Sequence, residues 1–100
     1  MYVIRNIMYC KPGQVKPLVA IFSELSKTMQ KMGQKSPMRI LTDVSGERYW
    51  TMVAEQEVSS FEEFEKFNQK VMSDPKVQKT MKNYHDCVLS GRREIFRLEK

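Results

Sequence analysis

Four strand-like segments and two helix-like segments, in the order β-α-β-β-α-β, predict an α+β fold of ferredoxin-like topology. Three observations carry this. Apolar residues alternate or run together over 2–10, 38–44, 48–57 and 92–99. They recur at three- and four-residue steps over 14–32 and from residue 59 to about 90. The 100 residues are 41% apolar and 29% charged, a balance that fits one globular domain covering residues 1–100.

The first strand, YVIRNIMYC, is apolar on both of its faces, which marks a strand covered on two sides. Lys11-Pro12-Gly13 ends it. The first helix carries Leu18, Phe22, Leu25, Met29 and Met32 as one stripe. Pro17 falls in its first turn, where a missing amide is tolerated, and Gly33 stops it. The runs 38–44 and 48–57 flank Ser45-Gly46-Glu47 and read as a hairpin. In the second run neither face looks solvated. Ser59 or Ser60, each three residues before a glutamate, caps the second helix. Its stripe is Phe61, Phe64, Phe67 and Val71. Asp74-Pro75 restarts the helix, with Asp as cap and Pro at the first position. Val77, Met81, Tyr84 and Val88 extend the stripe, Ser90-Gly91 closes it, and Arg92 to Glu99 forms the last strand.

This order places two helices on one face of a four-stranded antiparallel sheet. Four strands of ~8 residues expose roughly 500 Å² on the other face. Covering it, were it wholly apolar, contributes on the order of 10 kcal/mol gross per protomer at ~25 cal/mol/Å². A homodimer through the open sheet face is therefore expected. The net charge of +5 comes from scattered Lys and Arg with no cluster of five, so no nucleic-acid partner is expected. No apolar run approaches the ~20 residues of a membrane span. No secretory leader is recognisable, and the two cysteines, Cys10 and Cys87, read as buried thiols, so a cytoplasmic setting is expected. One His and two distant Cys make no metal-ligand spacing, and no phosphate loop is present, so no metal or cofactor is expected.

The opening strand ending in Lys11-Pro12-Gly13, the segment Asp74-Pro75 with Gln78, and Ser90-Gly91 with Glu94-Ile95 resemble the dimeric α+β barrel superfamily. Within it they resemble the NIPSNAP-like branch, related to antibiotic-biosynthesis-monooxygenase-like domains. The resemblance spans the whole chain. Arg5 sits in the strand where that branch often has an arginine, although Ile7 stands where an aromatic often follows. The superfamily implies a range of activities, from cofactor-free monooxygenases and heme-degrading enzymes to ligand-sensing modules, so the fold does not select among them. Of the Asn, Trp and His set of the heme-degrading relatives, Asn6 alone stands at the matching place.

Candidate chemistry rests on few residues. His85 is the only histidine and the only side chain ordinarily poised near neutral pH, so it is the candidate general base. Asn6 is the second catalytic candidate. Arg5, Asn6, Arg39, Asp43 and Arg97 are polar positions in apolar strands, where an inward polar group needs a partner or a ligand. Arg5, Tyr49, Trp50 and Arg97 are the candidate ligand contacts. Two readings stand side by side. One is a protein that binds a small apolar or aromatic molecule between helices and sheet, acting as a cofactor-independent monooxygenase-like enzyme. The other is a non-catalytic ligand-binding or interaction module.

Overall fold

A computed structural model describes all of residues 1–100. The elements are β1 (Tyr2–Cys10), α1 (Val15–Lys31), β2 (Arg39–Thr42), β3 (Thr51–Val58), α2 (Phe61–Met72), α3 (Pro75–Thr80), α4 (Tyr84–Cys87) and β4 (Val88–Arg97). The strands form one antiparallel sheet in the order β2-β3-β1-β4, the expected ferredoxin-like arrangement. No helix is long and apolar enough to cross a membrane.

Even-numbered positions of β1 and β3 face the helices. Met8 pairs with Met52 and Asn6 with Ala54, and Met8, Cys10, Met52 and Ala54 share one core with Leu18, Phe22, Leu25 and Met29 of α1. Of the five members of that helical stripe these four are buried, each worth roughly 1.5–3 kcal/mol, and the fifth, Met32, is half-buried against them. Val71, Val77 and Cys87 complete this core from α2, α3 and α4. Val71 is the only buried residue of α2. That helix meets the sheet mainly through rings: Tyr2 and Phe61 stack with centroids 4.3 Å apart, and the Arg93 guanidinium lies 5.6 Å from the Phe64 centroid.

The helix starts follow the sequence. Ser60 accepts from the Glu63 amide at 3.3 Å. Asp74 Oδ1 accepts from the amides of Lys76 and Val77 at 2.8 and 3.2 Å, with Pro75 at the first position. Gly33 follows α1 with φ +100°, the left-handed region that glycine enters without strain.

Three expectations are corrected. The helix expected from Pro75 to Ser90 breaks after Thr80, whose hydroxyl donates back to the Lys76 carbonyl at 2.9 Å and competes with the backbone ladder. The last strand begins at Val88 rather than Arg92. The Lys11 amide donates to the Cys87 carbonyl at 2.8 Å, which draws the chain alongside Cys10. Gly91 then lies inside β4 as a close-approach residue, because a Cβ there would stand 2.9 Å from the Ile7 carbonyl oxygen. The hairpin loop is longer than expected and spans 43–50. Asp43 closes its base by accepting from the Thr51 amide at 2.8 Å. Trp50 takes φ +59°, rare for a bulky residue, and its carbonyl accepts from the Cys10 amide at 2.8 Å.

The open sheet face also differs from a wholly apolar one. The odd-numbered positions of β1, β2 and β3 and the even-numbered ones of β4 make up this face; they include Val3, Ile7, Leu41, Val53 and Phe96, but also Arg5, Arg39, Arg92, Glu55, Glu57 and Glu94. β3 therefore turns two carboxylates, rather than apolar residues, to this side. The apolar stabilisation available from covering it is correspondingly smaller.

Candidate functional site

Because α2 stands off from β3, a cavity of about 710 Å³ opens between them. The end of β3 and the turn after α1 form one side, and α2 forms the other. Phe64 and Phe67 sit three residues apart on α2, so both rings fall on the same face and line the cavity with Val58. At its polar side Gln34 Nε2 donates to Gln56 Oε1 at 2.9 Å, tying the turn after α1 to β3. Gln34 Oε1 is buried with no partner, a group that a bound donor would satisfy. Lys35, Lys66 and Lys70 lie around the rim.

A second cavity, about 510 Å³, lies at the opposite end of the sheet beside the start of α1. Val15 and Val19 form its apolar side, with Lys16 and Asp43 near Tyr49 and Trp50 of the hairpin. Tyr49 is 88% exposed and Trp50 44%.

The open face carries the most closely coupled charges of the molecule. Glu55 Oε2 meets Arg5 Nε at 2.5 Å, and Glu55 Oε1 meets Arg39 Nη2 at 2.5 Å. Arg39 Nη1 also reaches Glu57 at 3.1 Å. Hydrogen bonds from Arg39 and then Arg5 hold the Glu55 carboxyl below its ordinary value, and those from Glu55 and Glu57 raise Arg39. Near the far end of β1, burial pushes the Cys10 thiol up, followed by its neighbours Cys87 and Asp43. Burial likewise raises Tyr84, whose ring lies 6.2 Å from that of Phe22. Both cysteines are free and buried.

The residues singled out in the sequence occupy separate places. Asn6 is on the helix side, where its Oδ1 accepts from Arg93 Nε at 2.8 Å, behind Phe64. His85 is exposed on α4, edge-on to Tyr84 at 5.1 Å. Arg5 faces the open side and also lies 5.2 Å from the Phe96 centroid. Arg97 sits 5.9 Å from the Tyr2 centroid near the start of α2. Tyr49 and Trp50 alone share a cavity. None of the six lines the larger cleft. Its residues, Gln34, Gln56, Phe64 and Phe67, were not singled out. One signal for Gln56 was available: it shares the face of Met52 and Ala54, a polar group on the core side of a strand.

The elements define a class of protein: a single four-stranded α+β sheet with helices on one face and a cleft between helix and sheet. Solved structures with this fold include NIPSNAP domain proteins and a protein provisionally named an antibiotic biosynthesis monooxygenase. A NIPSNAP domain protein from Burkholderia xenovorans aligns over 98% of this chain and 94% of its own, with a TM-score of 0.81 at 13% identity. A NIPSNAP family protein of unknown function from Agrobacterium tumefaciens gives a TM-score of 0.84 at 14% identity, over 98% of this chain and 87% of its own. A Chloroflexus aurantiacus protein, provisionally named an antibiotic biosynthesis monooxygenase, gives 0.73 at 17% identity, over 99% and 93%. No family model matches the sequence, and no curated protein does.

Proposed function

We propose that the chain works as a homodimer joined through the open sheet face and holds a small apolar or aromatic molecule in the cleft beneath α2. The observation that carries the binding reading is the cleft. Its volume of about 710 Å³ lies within the ~300–1,000 Å³ of small-molecule sites, and it pairs two aromatic rings with a few polar groups. Exposed Leu41 and Phe96 on the open face support the dimer. The free Cys10 and Cys87 support a reducing, cytoplasmic setting.

A cofactor-independent monooxygenase-like activity is the second reading, favoured by the fold shared with the protein provisionally named for that reaction. On it, Asn6 and His85 are the residues to test for catalysis, and Arg5, Tyr49, Trp50 and Arg97 those to test for ligand contact. The cleft itself contains no nucleophile paired with a base, which favours binding without chemistry.

A thermal-shift screen with planar apolar and aromatic compounds tests the first reading. A stabilising compound is expected, with its affinity falling about tenfold or more in Phe64→Ala, since a buried Phe contributes ~1.5–3 kcal/mol. No stabilising compound, or equal affinity in the variant, removes the cleft as the site. Oxygen uptake with phenols and quinols then separates the readings: uptake selects the enzyme, and a thermal shift without uptake selects the binding module.

A further inference from the structure

The charged residues of the open face are ordered rather than scattered. Cross-strand pairing sets Arg39 beside Glu55, Glu55 beside Arg5, and Arg5 beside Glu94. One transverse row thus crosses all four strands from β2 to β4 with alternating sign, plus, minus, plus, minus. The rows on either side are mostly apolar, Leu41, Val53 and Ile7 in one and Val3 and Phe96 in the other, each ending in a single charge, Arg92 and Glu57. The strand residues of this face carry three arginines and three glutamates, so it is neutral, although the chain as a whole is +5. Two copies would repel elsewhere on their surfaces more than here.

We infer that this row is a charge key: it selects a second copy of the same chain as the partner of the open face, and selects how that copy is turned. The inference rests on the homodimer reading above. A two-fold dimer pairs one surface with itself. If the axis runs along the row, each charge faces its own copy and every contact is repulsive. If the axis runs along the strands, the row is reversed. Arg39 then faces the partner's Glu94, and Glu55 faces the partner's Arg5. Every contact in the row is attractive, so β2 lies over the partner's β4 and β3 over the partner's β1. A foreign apolar sheet offers the row no such complement, and covering the charges without partners is costly.

Glu55 is the centre of the device, at 8% exposure already desolvated between two guanidinium groups that remain partly exposed. Covering a carboxylate that is already paired adds little further desolvation. Covering two arginines that have lost it adds much.

Charge reversal tests the key through association measured by light scattering and ultracentrifugation. Wild type is expected to be a dimer; a monomer at micromolar concentration overturns the homodimer reading itself. Arg5→Glu and Glu55→Arg each place like charges over one another in a self-pair, and each is expected to be monomeric. Mixed, the two variants are complementary at all four positions of the row, and a one-to-one heterodimer is expected. Circular dichroism checks that each reversed chain is folded. The milder Glu55→Gln, which takes from Arg5 its paired carboxylate and leaves Arg39 only Glu57, is expected to weaken dimerisation on the order of a hundredfold, with the monomer's spectrum kept. A dimeric wild type whose Glu55→Gln variant associates equally well overturns the key and leaves the dimer standing. Folded reversal variants that stay dimeric alone, or stay monomeric when mixed, overturn it too.

Discussion

The two faces of the sheet are built on opposite principles. The helix side is closed by apolar burial: Ile4, Leu18, Met52, Val71 and Val77 are all essentially inaccessible, and only a few polar side chains reach that layer. The open side is organised by a row of alternating charge between apolar residues. Burial of aliphatic side chains is non-directional and supplies most of a domain's stability. Ion pairs with half-exposed arginines supply little stability and strong geometric preference. The helix side is thus where the chain acquires its fold, and the open side is where, on the proposed dimer, it would distinguish what sits against it.

The sharpest way to break that contrast is to remove equal volume from each side. Leu18→Ala on the helix side leaves a cavity in a packed core and is expected to lower unfolding free energy by ~2–5 kcal/mol. Leu41→Ala, 44% exposed on the open side, is expected to change the monomer by no more than ~0.5 kcal/mol. Urea unfolding at protein concentrations below the dissociation range of the proposed dimer measures both. Similar losses on the two faces would refute the division.

Gly91 lies on the helix side opposite Met8, where β4 approaches β1 too closely for a side chain. Gly91→Ala would set a methyl group 2.9 Å from the Ile7 backbone carbonyl, a contact that only backbone movement relieves. The expected loss is ~1–3 kcal/mol, typical of forced overpacking. Gly13→Ala, with open space around its Cβ but φ +79°, separates steric collision from left-handed strain. A cost at Gly91 no larger than that at Gly13 would mean that the strand approach tolerates a side chain.

How much of this was legible in the sequence differs between the two sides in the same way. The helix-side core is written in periodicity, because Leu18, Phe22, Leu25 and Met29 must recur every three to four residues to reach one layer, and Asp74 and Ser60 cap through bonds within three residues. The row of charges was not legible. Arg5, Arg39, Glu55 and Glu94 are remote along the chain, and their alternation exists only once the strand register is known. Gly91 was misread for the same reason: a glycine after a helical stripe resembles a helix stop, and its neighbour Ile7 lies far away in sequence. The cleft escaped because it is formed where α2 stands off from β3, and no residue pattern encodes a gap. Asn6, Tyr49, Trp50 and His85 stood out by residue type, which says nothing about which of them converge.

The smallest expected effect concerns acid. The hydrogen bonds of Arg39 and Arg5 hold Glu55 below the ordinary carboxylate value of 4.5. A carboxylate whose folded pKa is depressed contributes stability that is fully present above its unfolded value and is lost as pH falls through the folded one. Glu57, which shares Arg39, and Glu94, which lies beside Arg5, are carboxylates on the same face, so the difference between wild type and Glu55→Gln isolates the one group. The melting temperature of wild type is expected to exceed that of Glu55→Gln at pH 7 and the gap to narrow progressively below about pH 4.5. Because both arginines keep much of their solvent, the gap is expected to be well below the effect of Gly91→Ala. Run above and below the dissociation range of the proposed dimer, the experiment also weighs the two roles of the row. A gap that is small in the monomer and larger in the dimer assigns the charges to recognition of the second copy. A gap of the same size in both would mean that Glu55 serves the fold of each chain on its own, and the contrast between the faces would lose its physical basis.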